Sequence, residues 1–230
     1  MQKDRKETSG FSERLAFTGR IAASIAHEIR NPLTNVSLSA RQLKEAFSED
    51  SPWARHIEII ARNTERINFL ITEMLNCARP PKLNMQAHDI NGILDGTLDS
   101  IKAKMTAQKV RVRRTFCCGS PEVKVDREQI TRVFSNVMIN AMDAMPEGGV
   151  MTLETDRESD FFVIRIKDTG TGIPEEDIIR IFDPFFSTKS SGIGLGLSIT
   201  YTTVVSHGGS ISVESQKKAG TTFTISLPTQ

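Results

Sequence analysis

The 230-residue chain has no apolar run near the roughly 18–20 residues that a membrane span requires. Its polar start, MQKDRKETSG, has no secretory-signal core. The chain therefore reads as cytoplasmic, reaching a membrane only through a region outside this chain. It also lacks an excess of either charge: 29 basic against 28 acidic side chains argue against a nucleic-acid partner. Only three cysteines occur, Cys77, Cys117 and Cys118, an odd number without metal-ligand spacing. A Cys117–Cys118 bridge between neighbours is strained, so reduced thiols are expected. No internal repeat or low-complexity tract is present. GxxxxGK[ST] is missing, and Gly192 to Gly196 do not continue into GxGxxG, which excludes a P-loop and a dinucleotide-binding fingerprint.

Two textures are present. From about residue 11 to 79, apolar or small residues recur at alternating steps of three and four: Leu33, Val36, Ala40 and Leu43, then Ile57, Ile60, Thr64, Ile67 and Ile71. The break at SEDSPW offers Ser51 as a cap and Pro52 for a first helical turn. Two near-heptad helices joined by a short loop make an antiparallel hairpin. A lone hairpin encloses little apolar surface, so a homodimer through residues 15–79, forming a four-helix bundle, is predicted. The prolines of ARPPKL end the second helix.

The second texture alternates strands and helices. NGILDGTLDSIKAKM, REQITRVFSNVMINAMDAM, EEDIIRIF and GLGLSITYTTVVSHGG are predicted helices. KVRVRRTF, EVKVD, VMTLETDRE and FFVIRIKD are predicted strands, and SISVESQ with TTFTISLP a terminal hairpin. This pattern predicts an α/β sandwich. The division is 1–14 linker, 15–79 helical domain, 80–84 hinge and 85–230 sandwich.

Two glycine clusters stand out in the sandwich. DTGTGIP follows an apolar strand, and SGIGLGLSI opens a helix. Such glycines let backbone amides approach an anion, aided by the helix dipole. Within the long apolar helix, Asn136 and Asn140 lie four apart on one face. Asparagine suits a helix interior poorly and is costly to bury unpartnered. The two are either amides bonded within the core or oxygen ligands for Mg²⁺ carrying a nucleotide. In the first half, SIAHEIRNPLT places His27, Glu28, Asn31 and Pro32 together.

Asn136–Asn140, Asp168–Gly172, FDPFFSTK, GIGLGLS and GTTF, in this order, resemble the boxes of the sensor histidine kinase ATP-binding domain. AHEIRNPL resembles the phosphoacceptor box of the same family. The resemblance runs from about residue 15 onward and implies a Bergerat-type ATP-binding domain. It makes His27 the residue phosphorylated from ATP, with transfer onward to an aspartate of a response regulator receiver domain. It makes Asp168 the adenine reader, Asn140 with Asn136 the holders of Mg²⁺, and Phe182–Gly196 a mobile lid. Gly170 and Gly172 would border the nucleotide, Lys189, Gly194 and Gly196 would meet its phosphates, and Thr221 would support the adenine end. The chain departs from the common pattern at Ile193, where many members have threonine. Asp143, at a position often basic in relatives, is assigned no phosphate role.

Chemically, a neutral imidazole is a competent nucleophile near neutral pH. Glu28 is suited to accept its other ring proton. Asn31, one turn beyond His27, is suited to align water for hydrolysis of a receiver's aspartyl phosphate. Pro32 removes a backbone donor and can bend the helix. The competing readings are a Bergerat ATPase used as a conformational switch and a non-catalytic scaffold that docks receivers. His207, before a glycine pair at a helix end, reads as structural.

Overall fold

The computed structural model describes residues 29–47, 51–78, 82–117, 122–189 and 194–229. It comprises two compact units, divided in the sequence between residues 80 and 81. No helix among the described residues is long and apolar enough to cross a membrane.

The first unit is a helical hairpin: α1 (residues 29–46) and α2 (Ala54–Ala78). At the turn, Ser51 accepts the Trp53 amide on its hydroxyl at 3.3 Å and the Ala54 amide on its carbonyl at 3.0 Å. Helix α1 runs through Pro32 without a break among its described residues. The apolar stripe divides by heptad. Leu33, Ala40, Ile57, Thr64 and Ile71 are buried, and Leu33 packs on Ile71. The alternate set, Ile29, Val36 and Leu43 with Trp53, Ile60 and Ile67, is 40–59% exposed. Each set repeats every seventh residue, so within one chain the hairpin buries only one of its two seam positions.

The second unit is a two-layer sandwich. Its sheet runs β2 (Val110–Thr115), β4 (Gly149–Glu158), β5 (Phe161–Asp168), β7 (Gly220–Pro228), β6 (Ser210–Gln216). Only β2 and β4 pair in parallel. Alternate residues such as Leu153, Ile164, Ile166, Phe223 and Ile225 are buried. They share a core with Ile90 and Leu94 of α3 (Ile90–Ala107), Phe134 and Met138 of α4 (Arg127–Asp143), and Val204 of α6 (Gly196–Ser206). A fully buried side chain such as Phe134 contributes about 1.5–3 kcal/mol. The intervening sheet positions, Thr152, Glu154, Arg165, Lys167, Thr222 and Thr224, are polar, and Arg165 pairs with Glu158. One face is core and the other is largely polar, with Val163 buried on it at 2% exposure.

Two elements differ from expectation. β1 (Gln86–Asp89) pairs antiparallel with β3 (Glu122–Val125), although its sequence, QAHD, has no apolar alternation. Its purpose is local: Asp89 then caps α3, accepting the Asn91 amide at 2.9 Å. The helix expected over EEDIIRIF is a single turn, α5 (Glu175–Ile178). Ile178, Ile179 and Ile181 cannot all lie on one helical face; the chain turns, burying Ile181 and leaving Ile179 86% exposed.

The start of α4 is tied to both neighbouring segments. Asp126 caps the helix through the Gln129 amide at 3.1 Å and holds the Asn84 amide at 2.9 Å. Burial raises its pKa, but the amides of Asn84, Gln129 and Glu128 outweigh this and hold it below the ordinary carboxylate value. Its own amide donates to Nε2 of buried His207 at 3.0 Å, and His207 Nδ1 lies 2.8 Å from the Thr203 carbonyl. The imidazole ring thereby joins the end of α6 to the start of α4.

Candidate nucleotide site

Asp168 ends β5 with 2% of its surface exposed. Its Oδ1 accepts the amides of Gly170 at 2.8 Å and Thr221 at 3.3 Å. Burial pushes its carboxyl above the ordinary value, and these two amides only partly oppose the shift. A carboxylate left this dry is costly to the fold and characteristic of a group kept to meet a ligand.

The surrounding backbone is closely fitted. A Cβ on Gly170 would lie 2.6 Å from the Ala144 carbonyl, which accepts the Thr171 amide at 3.0 Å. Gly172, at φ 68°, approaches the Gln216 carbonyl so closely that a Cβ would lie 2.1 Å from it. The Lys218 amide donates to the Thr171 carbonyl at 2.7 Å. The DTGTG loop is thus fastened to the end of α4 on one side and the β6–β7 turn on the other.

Ser215 organises the adjoining strands, and sequence reasoning missed it. Its hydroxyl accepts the Ile173 amide at 2.8 Å, donates to the Gly220 carbonyl at 3.1 Å and lies 2.9 Å from the Thr221 hydroxyl. The signal was available: Ser215 is in phase with inward-pointing Ile211 and Val213, a polar residue at an apolar position. Ser215→Ala is expected to lower the unfolding free energy by about 1–2 kcal/mol, read from a denaturant midpoint, because it orphans the Ile173 amide and the Gly220 carbonyl.

Helix α4 links the remaining residues. Asn136 donates to the Gly196 carbonyl at the start of α6, at 3.3 Å. Asn140 Oδ1 accepts the Lys189 ammonium at 3.0 Å, and Asp143 Oδ2 accepts it at 3.0 Å. The other carboxylate oxygen of Asp143 meets Lys104 of α3 at 3.2 Å. Burial pushes Asp143 up, but the two lysines more than offset this and its pKa is lowered. The asparagines do not bond each other: each reaches a different segment.

Gly194, at φ 73°, folds against the Phe185–Phe186 backbone, where its carbonyl accepts the Phe185 amide at 3.0 Å. Phe186 stacks beneath the Arg180 guanidinium, 4.6 Å from the ring centre, and Phe182 packs on Tyr201. Gly196 differs from the others. A Cβ there would find nothing nearer than Asn136 at 3.8 Å, so neither packing nor a positive φ demands glycine. Residues 190–193 lie outside the described residues, as do His27 and Glu28; Asn31 is exposed on α1.

The donor set suits a hard cation delivered with a nucleotide. Among the described residues no cluster of three or more His, Cys, Asp or Glu forms a metal cage. Asn140 presents an amide oxygen that already receives a cationic group. Magnesium characteristically takes few protein ligands and completes its shell with phosphate and water oxygens.

Residues 125–230 match the family of histidine kinase-, DNA gyrase B- and HSP90-like ATPases, and residues 18–82 match the His kinase A phosphoacceptor domain. Sensor histidine kinase ZraS of Escherichia coli K12 is 32% identical over 94% of this chain and 46% of its own length. Sporulation kinase C of Bacillus subtilis is 33% identical over 94% of this chain and 50% of its own. The chain thus spans about half the length of these relatives. Among solved structures, full-length ShkA in complex with AMPPNP shares the fold at a TM-score of 0.78 with 21% identity, covering 91% of this chain and 45% of its own. Histidine kinase ThkA in complex with the response regulator TrrA aligns at 0.66 and 26% identity, covering 100% of this chain and 66% of its own.

Proposed function

We propose that this chain, which belongs to the sensor histidine kinases and carries their phosphoacceptor and ATP-binding domains, transfers the γ-phosphoryl of ATP to His27 and passes it to an aspartate of a response regulator. The desolvated Asp168 carboxylate carries the reading. Both of its backbone hydrogen bonds land on Oδ1, which leaves Oδ2 for the exocyclic amine of adenine. Thr221 and Ser215 brace that end, and Gly170 and Gly172 let the loop pass close to the base.

At the phosphate end, Gly194 and Gly196 supply backbone donors and Lys189 a positive charge. Asn140, seconded by Asn136, would hold Mg²⁺, which supplies charge neutralisation for the phosphates. The unforced glycine at 196 favours close approach of a ligand, since the protein itself has room for a side chain there.

Transfer requires positioning and charge neutralisation more than covalent help. The unprotonated nitrogen of His27 attacks the γ-phosphorus, the bond to the β-bridging oxygen breaks, and ADP leaves with that electron pair. The proton on the other ring nitrogen moves toward Glu28 as positive charge grows on the ring. Asn31, exposed and one turn beyond His27, is placed in the sequence to orient a water against the phosphorylated receiver, giving a phosphatase activity. The unburied seam of the hairpin favours a homodimer: pairing two copies would cover Ile29, Val36, Leu43, Trp53, Ile60 and Ile67 in a four-helix bundle.

Incubation with labelled ATP and Mg²⁺ is expected to yield a phosphoprotein that is acid-labile and alkali-stable, with the label on the peptide bearing His27. Label on a different residue, or steady ATP turnover without phosphoprotein, overturns the assignment.

A further inference from the structure

Asp143 has no part in the reading above, yet it stands at the centre of an ion network beside Asn140. It is the last residue of α4, three positions past Asn140 and therefore on the same side of the helix. Each of its oxygens takes a different lysine: Lys104 of α3 on Oδ1 and Lys189 on Oδ2. Lys189 is thus shared between a carboxylate and the Asn140 amide oxygen, each at 3.0 Å. The two lysines leave the trio with one net positive charge, placed beside the proposed magnesium ligand.

One amide oxygen cannot serve two cations at close range without strong repulsion between them. A lysine ammonium drawn onto Asn140 by Asp143 therefore competes with a metal ion for the same oxygen. We propose that Asp143 is a positioning residue that draws Lys189 onto Asn140 when no nucleotide is bound, so that Mg²⁺–nucleotide must displace the ammonium to bind. Asp143 then holds the displaced lysine within reach of the phosphates. This inference rests on the nucleotide reading of the site, but the contact between Lys189 and Asp143 stands independently of it.

The three side chains retain 33–46% of their exposure, so solvent screens the network and its effect is modest. Two measurements test it. Trypsin cleaves after Lys189 only when that side chain is released. In the nucleotide-free protein, Asp143→Asn is expected to raise the cleavage rate at this bond by about 2–5-fold. Equal rates overturn the latch, whatever nucleotide does.

The second measurement is calorimetric binding of AMPPNP across a Mg²⁺ titration. Asp143→Asn is expected to lower the half-saturating Mg²⁺ concentration by about 2–5-fold, because Asn140 loses its competitor. An unchanged midpoint overturns the competition, and a raised one assigns Asp143 to the metal instead. Failure of the wild type to bind AMPPNP at any Mg²⁺ concentration overturns both the nucleotide reading and the competition. The trypsin rates still decide the Lys189–Asp143 contact in that case.

Discussion

An Asp168→Asn variant is expected to lose ATP affinity by at least about 100-fold while melting no lower than the wild type in the absence of nucleotide. Both halves follow from one geometry. Oδ1 accepts the Gly170 and Thr221 amides, so asparagine must keep its oxygen there to avoid facing two donors with its own amino group. Its nitrogen then occupies the place of Oδ2, presenting a donor to the donor of adenine. The stability half follows from the raised pKa. A carboxyl whose folded pKa lies above its unfolded value contributes stability below the unfolded pKa. That contribution is lost as pH rises through the folded pKa. Ionisation of Asp168 as pH rises through that folded pKa therefore costs the nucleotide-free fold free energy, and the neutral amide removes that cost. Calorimetric titration with ATP and a melting curve in its absence give the two numbers. A variant that binds ATP normally, or that melts well below wild type, contradicts the assignment.

The second large effect separates two glycines, Gly220 beside Asp168 and Gly196 at the start of α6. Gly220 has φ 98°, and a Cβ there would fall 2.0 Å from the Asp168 carbonyl oxygen. Alanine at this position must push apart β5 and the β6–β7 turn, against both sterics and backbone preference. Gly220→Ala is expected to destabilise by more than about 3 kcal/mol, taking soluble yield and nucleotide binding with it. Gly196→Ala meets no atom within 3.8 Å and gains helix propensity. It is expected to leave the melting temperature at or slightly above wild type and to weaken ATP binding about 10-fold or more by obstructing the phosphates. Chemical denaturation of both variants beside ATP titration distinguishes the cases. Equal destabilisation by the two substitutions contradicts the contrast.

Much of the sandwich is legible in the sequence because its alternation survives on strands with one buried face. FFVIRIKD and TTFTISLP announce their inward residues directly, as does the asparagine pair on the apolar helix. What escapes is set by long-range pairing. β1 owes its existence to β3 and not to its own side chains. Asp143 meets Lys189 across 46 residues and His207 meets the Asp126 amide across 81, distances over which local pattern carries no information. Ser215 lies between these cases: its inward phase was visible, but its three partners come from the DTGTG loop and β7. The buried set of the hairpin was legible only as part of a wider stripe, because period alone does not say which seam position a single chain can cover.

On the proposed pairing of two copies, that divided stripe would make folding of the helical unit a matter of mass action. When two chains pair through Ile29, Val36, Leu43 and their counterparts on α2, dilution acts on the unit as a denaturant does, drawing equilibrium toward chains that keep half a seam in water. The sandwich, whose core closes within one chain, is indifferent to concentration.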